Sequence, residues 1–168
     1  MVSIGILSDT HGSLPENAAG FFEPVDIIFH AGDIGNLKVI EMLEQISPVI
    51  AVHGNIDGYP TRGQYPEYQI TMIENCKVCM THIGGTPSRY SKLAKQLINE
   101  HKPDLFICGH SHILKIMHDQ KSKMLYINPG AAGKQGLHQK ITMIRLNITE
   151  KRFNDLEVFE RSRSPRHY

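Results

Sequence analysis

Residues 2–12 read VSIGILSDTHG: an apolar run of strand length stops at Ser8, and Asp9 and His11 follow before Gly12. Runs rich in β-branched and aliphatic residues, bounded by glycine and polar residues, read as strands. The same design returns along the chain. VDIIF (25–29) enters HAGD, VIAV (49–52) enters HGNID, KVCM (77–80) enters THIGG, LFIC (105–108) enters GHSH, and MLYI (124–127) enters NPGAAG.

Helical patterns lie between the early runs. Residues 13–22 open with Ser13, Leu14, Pro15 and Glu16, which suits a first helical turn. Residues 36–46 put Leu37, Ile40, Leu43 and Ile46 on one face, with Asn36 as N-cap and Pro48 beyond the end. Residues 88–101 repeat the pattern with Tyr90, Leu93, Leu97 and Ile98. The order β-α-β-α-β predicts parallel strands with right-handed crossovers. After residue 109 the strands 112–118, 123–127 and 139–147 follow without helices and predict an antiparallel meander, so the class is α/β with mixed sheets.

A chain of 168 residues reads as one domain, residues 1–160, followed by RSRSPRHY (161–168) as a frayed basic tail. Lys and Arg number 18 against 17 Asp and Glu, so no net field recommends an extended nucleic-acid surface. The apolar runs fall short of the ~20 residues of a membrane span. The N-terminus has neither a basic region nor a small-residue cleavage site, which points to the cytoplasm. Three cysteines do not make a disulfide framework. Cys76 and Cys79 form a C-x-x-C, but in an extended strand their thiols face opposite ways, so buried and inert thiols are expected.

Open α/β sheets bind ligands beyond the carboxyl ends of their strands. Asp9, His11, Asp33, Asn55, His82, His110 and His112 all fall there. Singly each has a plain reading: Asp33 and Asn55 suit turns, and a lone histidine suits a surface hydrogen bond. Together they would crowd at one end of the sheet, and burying them uncompensated is costly. Divalent cations compensate them. Imidazole with carboxylate suits manganese, nickel, zinc or iron, and seven donors suit two ions sharing one carboxylate. Such a pair lowers the pKa of a shared water and neutralises phosphoryl oxygens during in-line displacement at phosphorus.

The motifs Asp9-Thr10-His11-Gly12, Gly32-Asp33, Gly54-Asn55-Ile56-Asp57, Thr81-His82 and Gly109-His110-Ser111-His112 occur in that order, each after a strand. In this the sequence resembles the calcineurin-like metallophosphoesterases, in particular their small single-domain prokaryotic phosphodiesterase branch, from about residue 4 to residue 133. The resemblance implies a two-sheet sandwich flanked by helices (α/β/β/α). It implies that Asp9, His11 and His112 hold one ion, that Asp33 bridges, and that Asn55, His82 and His110 hold the other. Two divalent ions, manganese first, would be the cofactors, and Asp33, Asn55 and His82 would act in hydrolysis of a small phosphoester.

Two positions depart from the pattern. Ile56 stands where many relatives carry a histidine that donates a proton to the leaving group. Loss of such a group costs ~10²–10⁴ in rate for a poor leaving group. His53 is the replacement candidate, against a plain packing role for it and for His30. Ile83-Gly84 stands where glycine and histidine are frequent. A phosphodiesterase is therefore expected, with a non-catalytic scaffold of the same fold and a phosphomonoesterase as the other readings. The loops 59–66, 84–91 and NPGAAGKQG (128–136) would set specificity, and a homo-oligomer stays open.

Overall fold

The computed structural model describes residues 1–163. Its first sheet is built on β1 (Val2–Leu7), which pairs in parallel with β2 (Ile27–His30), itself parallel to β3 (Val49–Ala51). The crossovers carry α1 (Ala18–Phe22) and α2 (Leu37–Glu44). A four-residue helix, α3 (Thr61–Gln64), leads to the second sheet. There β4 (Tyr68–Ile73) and β5 (Cys76–Thr81) form an antiparallel pair, and the short hairpin of β6 (Gly85–Thr86) and β7 (Arg89–Tyr90) precedes α4 (Lys92–His101). Then come β8 (Leu105–Ile107), β9 (Leu114–Asp119), β10 (Met124–Pro129), β11 (Lys140–Thr149) and β12 (Arg152–Ser162). Strand order is β12-β11-β1-β2-β3 in one sheet and β4-β5-β8-β10-β9 in the other.

The strand period of two sorts the side chains into layers. Ile4, Ile6, Phe29, Val78, Met80, Leu105, Ile107, Ile127 and Ile144 fill the space between the sheets. Leu7 and Ile28 instead meet Phe22 of α1 and Val39, Ile40 and Leu43 of α2. On the far side Cys79, Phe106 and Tyr126 lie under Leu97 and Ile98 of α4. The architecture is the expected α/β/β/α sandwich. Each fully buried Phe or Leu contributes about 1.5–3 kcal/mol to holding these layers. Asn36 caps α2 by accepting from Lys38 N at 3.0 Å, and Ser91 caps α4 by accepting from Ala94 N at 3.1 Å.

Several local expectations are corrected. The helix read over 13–22 is confined to Ala18–Phe22. Pro15 disfavours helical backbone at Leu14, and the Ser13 hydroxyl donates to Thr10 O rather than capping a helix. The helix read from residue 88 starts at Lys92, because Ser88 adopts φ 74° in the turn of the β6–β7 hairpin and Ser91 takes the cap. The meander is divided: β9 and β10 close the second sheet, whereas β11 crosses to the first and pairs antiparallel with β1. The strands β4 and β12 were not anticipated. Both are edge strands, and β12 is largely exposed on both faces, so neither shows a buried period. β12 reaches Ser162, so Arg161 and Ser162 of the segment read as a tail are sheet residues, and 164–168 lie outside the described residues. Among the described residues no helix is long and apolar enough to cross a membrane.

Candidate metal centre

The parallel strands of both sheets deliver their carboxyl ends to one rim. Asp9 and His11 follow β1, Asp33 follows β2, Asn55 follows β3, His82 follows β5, and His110 and His112 follow β8. Backbone hydrogen bonds continue past the strand ends and set the loops: Asp9 N donates to Gly32 O at 3.0 Å, His11 N to Asp33 O at 3.0 Å and Gly109 N to His82 O at 2.9 Å. The two sheets are joined here as well. His110 N donates to Asp9 Oδ2 at 3.0 Å, and His82 Nδ1 donates to Ala31 O at 2.7 Å.

Six of the seven residues assemble in two groups, Asp9 with His11 and His112, and Asp33 with His82 and His110. The groups abut. Asp33 Oδ1 lies 3.2 Å from His82 Nε2 while its Oδ2 lies 3.8 Å from His11 Nε2, so this carboxylate faces both. Asp9 Oδ1 is 3.1 Å from His112 Nε2 and 3.9 Å from His82 Nε2. Asn55 stands at the mouth, exposed, on the turn whose Ile56 N donates to Asp33 Oδ1 at 3.1 Å. His53 and Asn55 line a cavity of about 290 Å³ that also reaches His82, Ile83 and Leu93.

Three observations fit this cluster to cations. Asp9 Oδ1 and His82 Nε2 are buried with no hydrogen-bond partner, a state that costs about 1–3 kcal/mol per group. The Ala31 carbonyl can only accept, so His82 donates to it from Nδ1 and turns Nε2 toward two carboxylates. Finally Asp9, His11, Asp33, His110 and His112 all have φ between 46° and 69°. That backbone region is uncommon for residues with a Cβ, and such strain gathers at functional sites.

The electrostatics agree. Burial alone would lower His82, but the adjacent Asp33 carboxylate and the charge of Asp9 outweigh it and raise its affinity for a proton. Burial alone would raise Asp33, but the His82 ring beside it and the Ile56 N–H hold the carboxyl below its ordinary value. A field that favours a proton at this point favours any cation.

Three supporting residues were not singled out from the sequence. Asp57 was read only as the end of the GNID motif, yet its buried carboxylate accepts from Ile34 N at 3.1 Å, Gly35 N at 2.8 Å and Gly54 N at 2.8 Å. Arg62 donates to the backbone oxygens of Asp57, Gly54 and Asn55 and so braces the same turn. His138 lies 3.1 Å from His112, Nδ1 to Nδ1. Only Asp57 carried a signal, an aspartate closing a glycine turn.

The calcineurin-like phosphoesterase superfamily domain matches residues 2–151. A probable metallophosphoesterase of Methanocaldococcus jannaschii is 31% identical over 134 residues, covering 76% of this chain and 67% of its own. A second protein of that organism, named as a phosphodiesterase, is 28% identical over 145 residues, covering 77% and 83%. In three dimensions the zinc complex of Vps29 from Entamoeba histolytica superposes with a TM-score of 0.73 at 16% identity, over 95% of this chain and 98% of that one. With residues 2–151 of 168 matched by the domain, the chain belongs to the calcineurin-like phosphoesterase superfamily.

Proposed function

We propose that the protein is a phosphodiesterase that uses two divalent ions, manganese first, to hydrolyse a small phosphodiester. The reading rests on one observation: two groups of three ligand-type side chains abut at a shared carboxylate. Asp9, His11 and His112 would hold one ion, and Asp33, His82, His110 and Asn55 the other, with Asp33 between them. Family membership and the relative named as a phosphodiesterase support it. When bound, such a pair supplies Lewis acidity toward phosphoryl oxygens and a water of lowered pKa.

The chain's own groups do the rest. The Asp33 carboxylate is held by Ile56 N–H, and the clamp of Asp57 fixes that turn against the Asp33 loop. Exposed at the mouth, the Asn55 carboxamide can donate to a phosphoryl oxygen. The cavity beside it, with Ile83 and Leu93 in its wall, receives the leaving group. His53 Nδ1 lies 3.3 Å from Gly54 O, which fixes the ring and leaves Nε2 to exchange a proton with that group.

The test is hydrolysis of bis(p-nitrophenyl) phosphate by chelator-stripped protein resupplied with Mn²⁺, Ni²⁺ or Zn²⁺. Activity that is lost with chelator and with Asp33→Ala supports the reading, and metal-loaded protein inactive on a panel of mono- and diesters overturns it. His53→Ala should lose up to ~10²–10⁴ more rate on an alkyl than on an aryl ester. Equal losses exclude the proton-donor role. A non-catalytic scaffold is the second reading, favoured by Ile56, exposed where a proton donor is frequent. It predicts metal uptake without turnover.

A further inference from the structure

We infer that His138 is a positioning residue for the first ligand group, acting through His112, an assignment that rests on the metal-centre reading above. His138 Nε2 lies 3.0 Å from Gly133 O, and a carbonyl only accepts, so Nε2 carries the proton of the neutral ring. His138 Nδ1 is then an acceptor. His112 Nδ1 stands 3.1 Å away and must donate to it, since two bare nitrogens at that distance repel. An imidazole binds an ion only in its neutral form, which has one N–H, so in that form His112 Nε2 is bare. That nitrogen faces the unpartnered Asp9 Oδ1 at 3.1 Å and His11 Nε2 at 3.3 Å.

The loop that carries His138 is shaped for this contact. Ala132 N donates to Ser8 O and Gly133 N to Asp9 O, at 2.9 and 3.0 Å, which ties the loop's start to the end of β1. Arg163 closes its far side by donating to Lys134 O at 3.0 Å and Gly136 O at 2.7 Å. Gly136 has φ 119°, and a Cβ there would overlap the rings of both His112 and His138. The two groups thus solve one problem differently. His82 takes its orientation from a backbone carbonyl, whereas His112 takes it from a side chain that mutation can remove.

The experiment uses the full chain at pH 8, stripped of metal. Mn²⁺ and Zn²⁺ affinities are measured by competition with a chelating dye, and histidine tautomers by ¹⁵N NMR of the ion-free protein. In His138→Phe one of two sites should weaken about 10–100-fold while the other is unchanged, and His112 should lose its fixed Nδ1–H form. His138→Gln, whose Oε1 can accept, should recover most of the affinity. Wild-type affinity at both sites in His138→Phe with His112 unaltered overturns the inference. If His138→Phe does not fold, the wild-type spectrum decides: an Nε2–H on His112 with Nδ1 bare overturns it. Wild-type protein that takes up no divalent ion, with His112 still in its Nδ1–H form, would instead mark failure of the metal-centre reading itself.

Discussion

Asp57 Oδ2 accepts a hydrogen bond from the backbone of Gly54 at 2.8 Å, and the same carboxylate accepts from Ile34 and Gly35 on the loop after β2. One buried side chain therefore joins the turn bearing Asn55 to the loop bearing Asp33. Asp57→Ala leaves three N–H groups without their acceptor, so urea unfolding in chelator should show a loss on the order of 3 kcal/mol. Asp57→Asn keeps one acceptor oxygen and should lose less. A change below about 0.5 kcal/mol in Asp57→Ala would mean that the clamp is dispensable.

Gly54 makes a sharper steric demand on the same junction. A Cβ built there overlaps Asp33 Oδ1 and the Asp33 amide nitrogen. The glycine's backbone is not left-handed, so Gly54→Ala tests crowding alone. Stability should fall by about 1–3 kcal/mol, and metal affinity should fall with it because the displaced carboxylate serves both groups. Full affinity in a folded Gly54→Ala protein would count against the shared role of Asp33.

The C-x-x-C pair yields a chemical prediction. Cys76 lies in the layer between the sheets and Cys79 under α4, so the thiols belong to different cores. Burial pushes both up to about 12, and burial pushes Cys108 up to about 11. The thiolate is the reactive form. Native protein at pH 8 should therefore resist iodoacetamide for hours, and denatured protein should take up three equivalents. Rapid alkylation of the folded chain would refute this burial.

The candidate ligand residues were legible because each follows an apolar run, and in an α/β sheet a strand's direction tells where its end points. Asp9, Asp33, His82 and His110 needed no tertiary knowledge beyond that. His138 was not legible: it sits in a polar loop and reaches His112 only through the folded path of residues 133–138. The start of α1 and the β6–β7 hairpin were misread for a related reason. Proline and serine at 13–15 and 87–91 fit both a helix start and a turn, and hydrogen bonds to Thr10 and between Gly85 and Tyr90 decide between them. The edge strand β12 carries charge on both faces, and its pairing with β11, not its own pattern, makes it a strand.

His30 links the fold beneath the site to pH. It is wholly buried, with Nδ1 accepting from Gly32 N at 3.2 Å, so Nε2 carries the proton of the neutral ring and donates at 2.9 Å to Thr10 Oγ1, which donates on to Ile34 O at 3.0 Å. Burial pushes its pKa down to about 4, against the opposing charges of Asp57, Asp9 and Asp33. The unfolded chain, near 6.5, then binds the proton first as pH falls, so this contribution is whole above about 6.5, declines below it and is gone near 4. Over that window ion-free protein should lose on the order of 3 kcal/mol from His30. His30→Gln has no proton to gain and should flatten the profile between those limits. Because Gly32 precedes Asp33, protonating His30 at Nδ1 breaks the Gly32 N–H bond that fixes the Asp33 loop, while the Nε2–H bond to Thr10 persists. Parallel stability curves for the two proteins between pH 4 and 6.5 would show that the drop originates elsewhere.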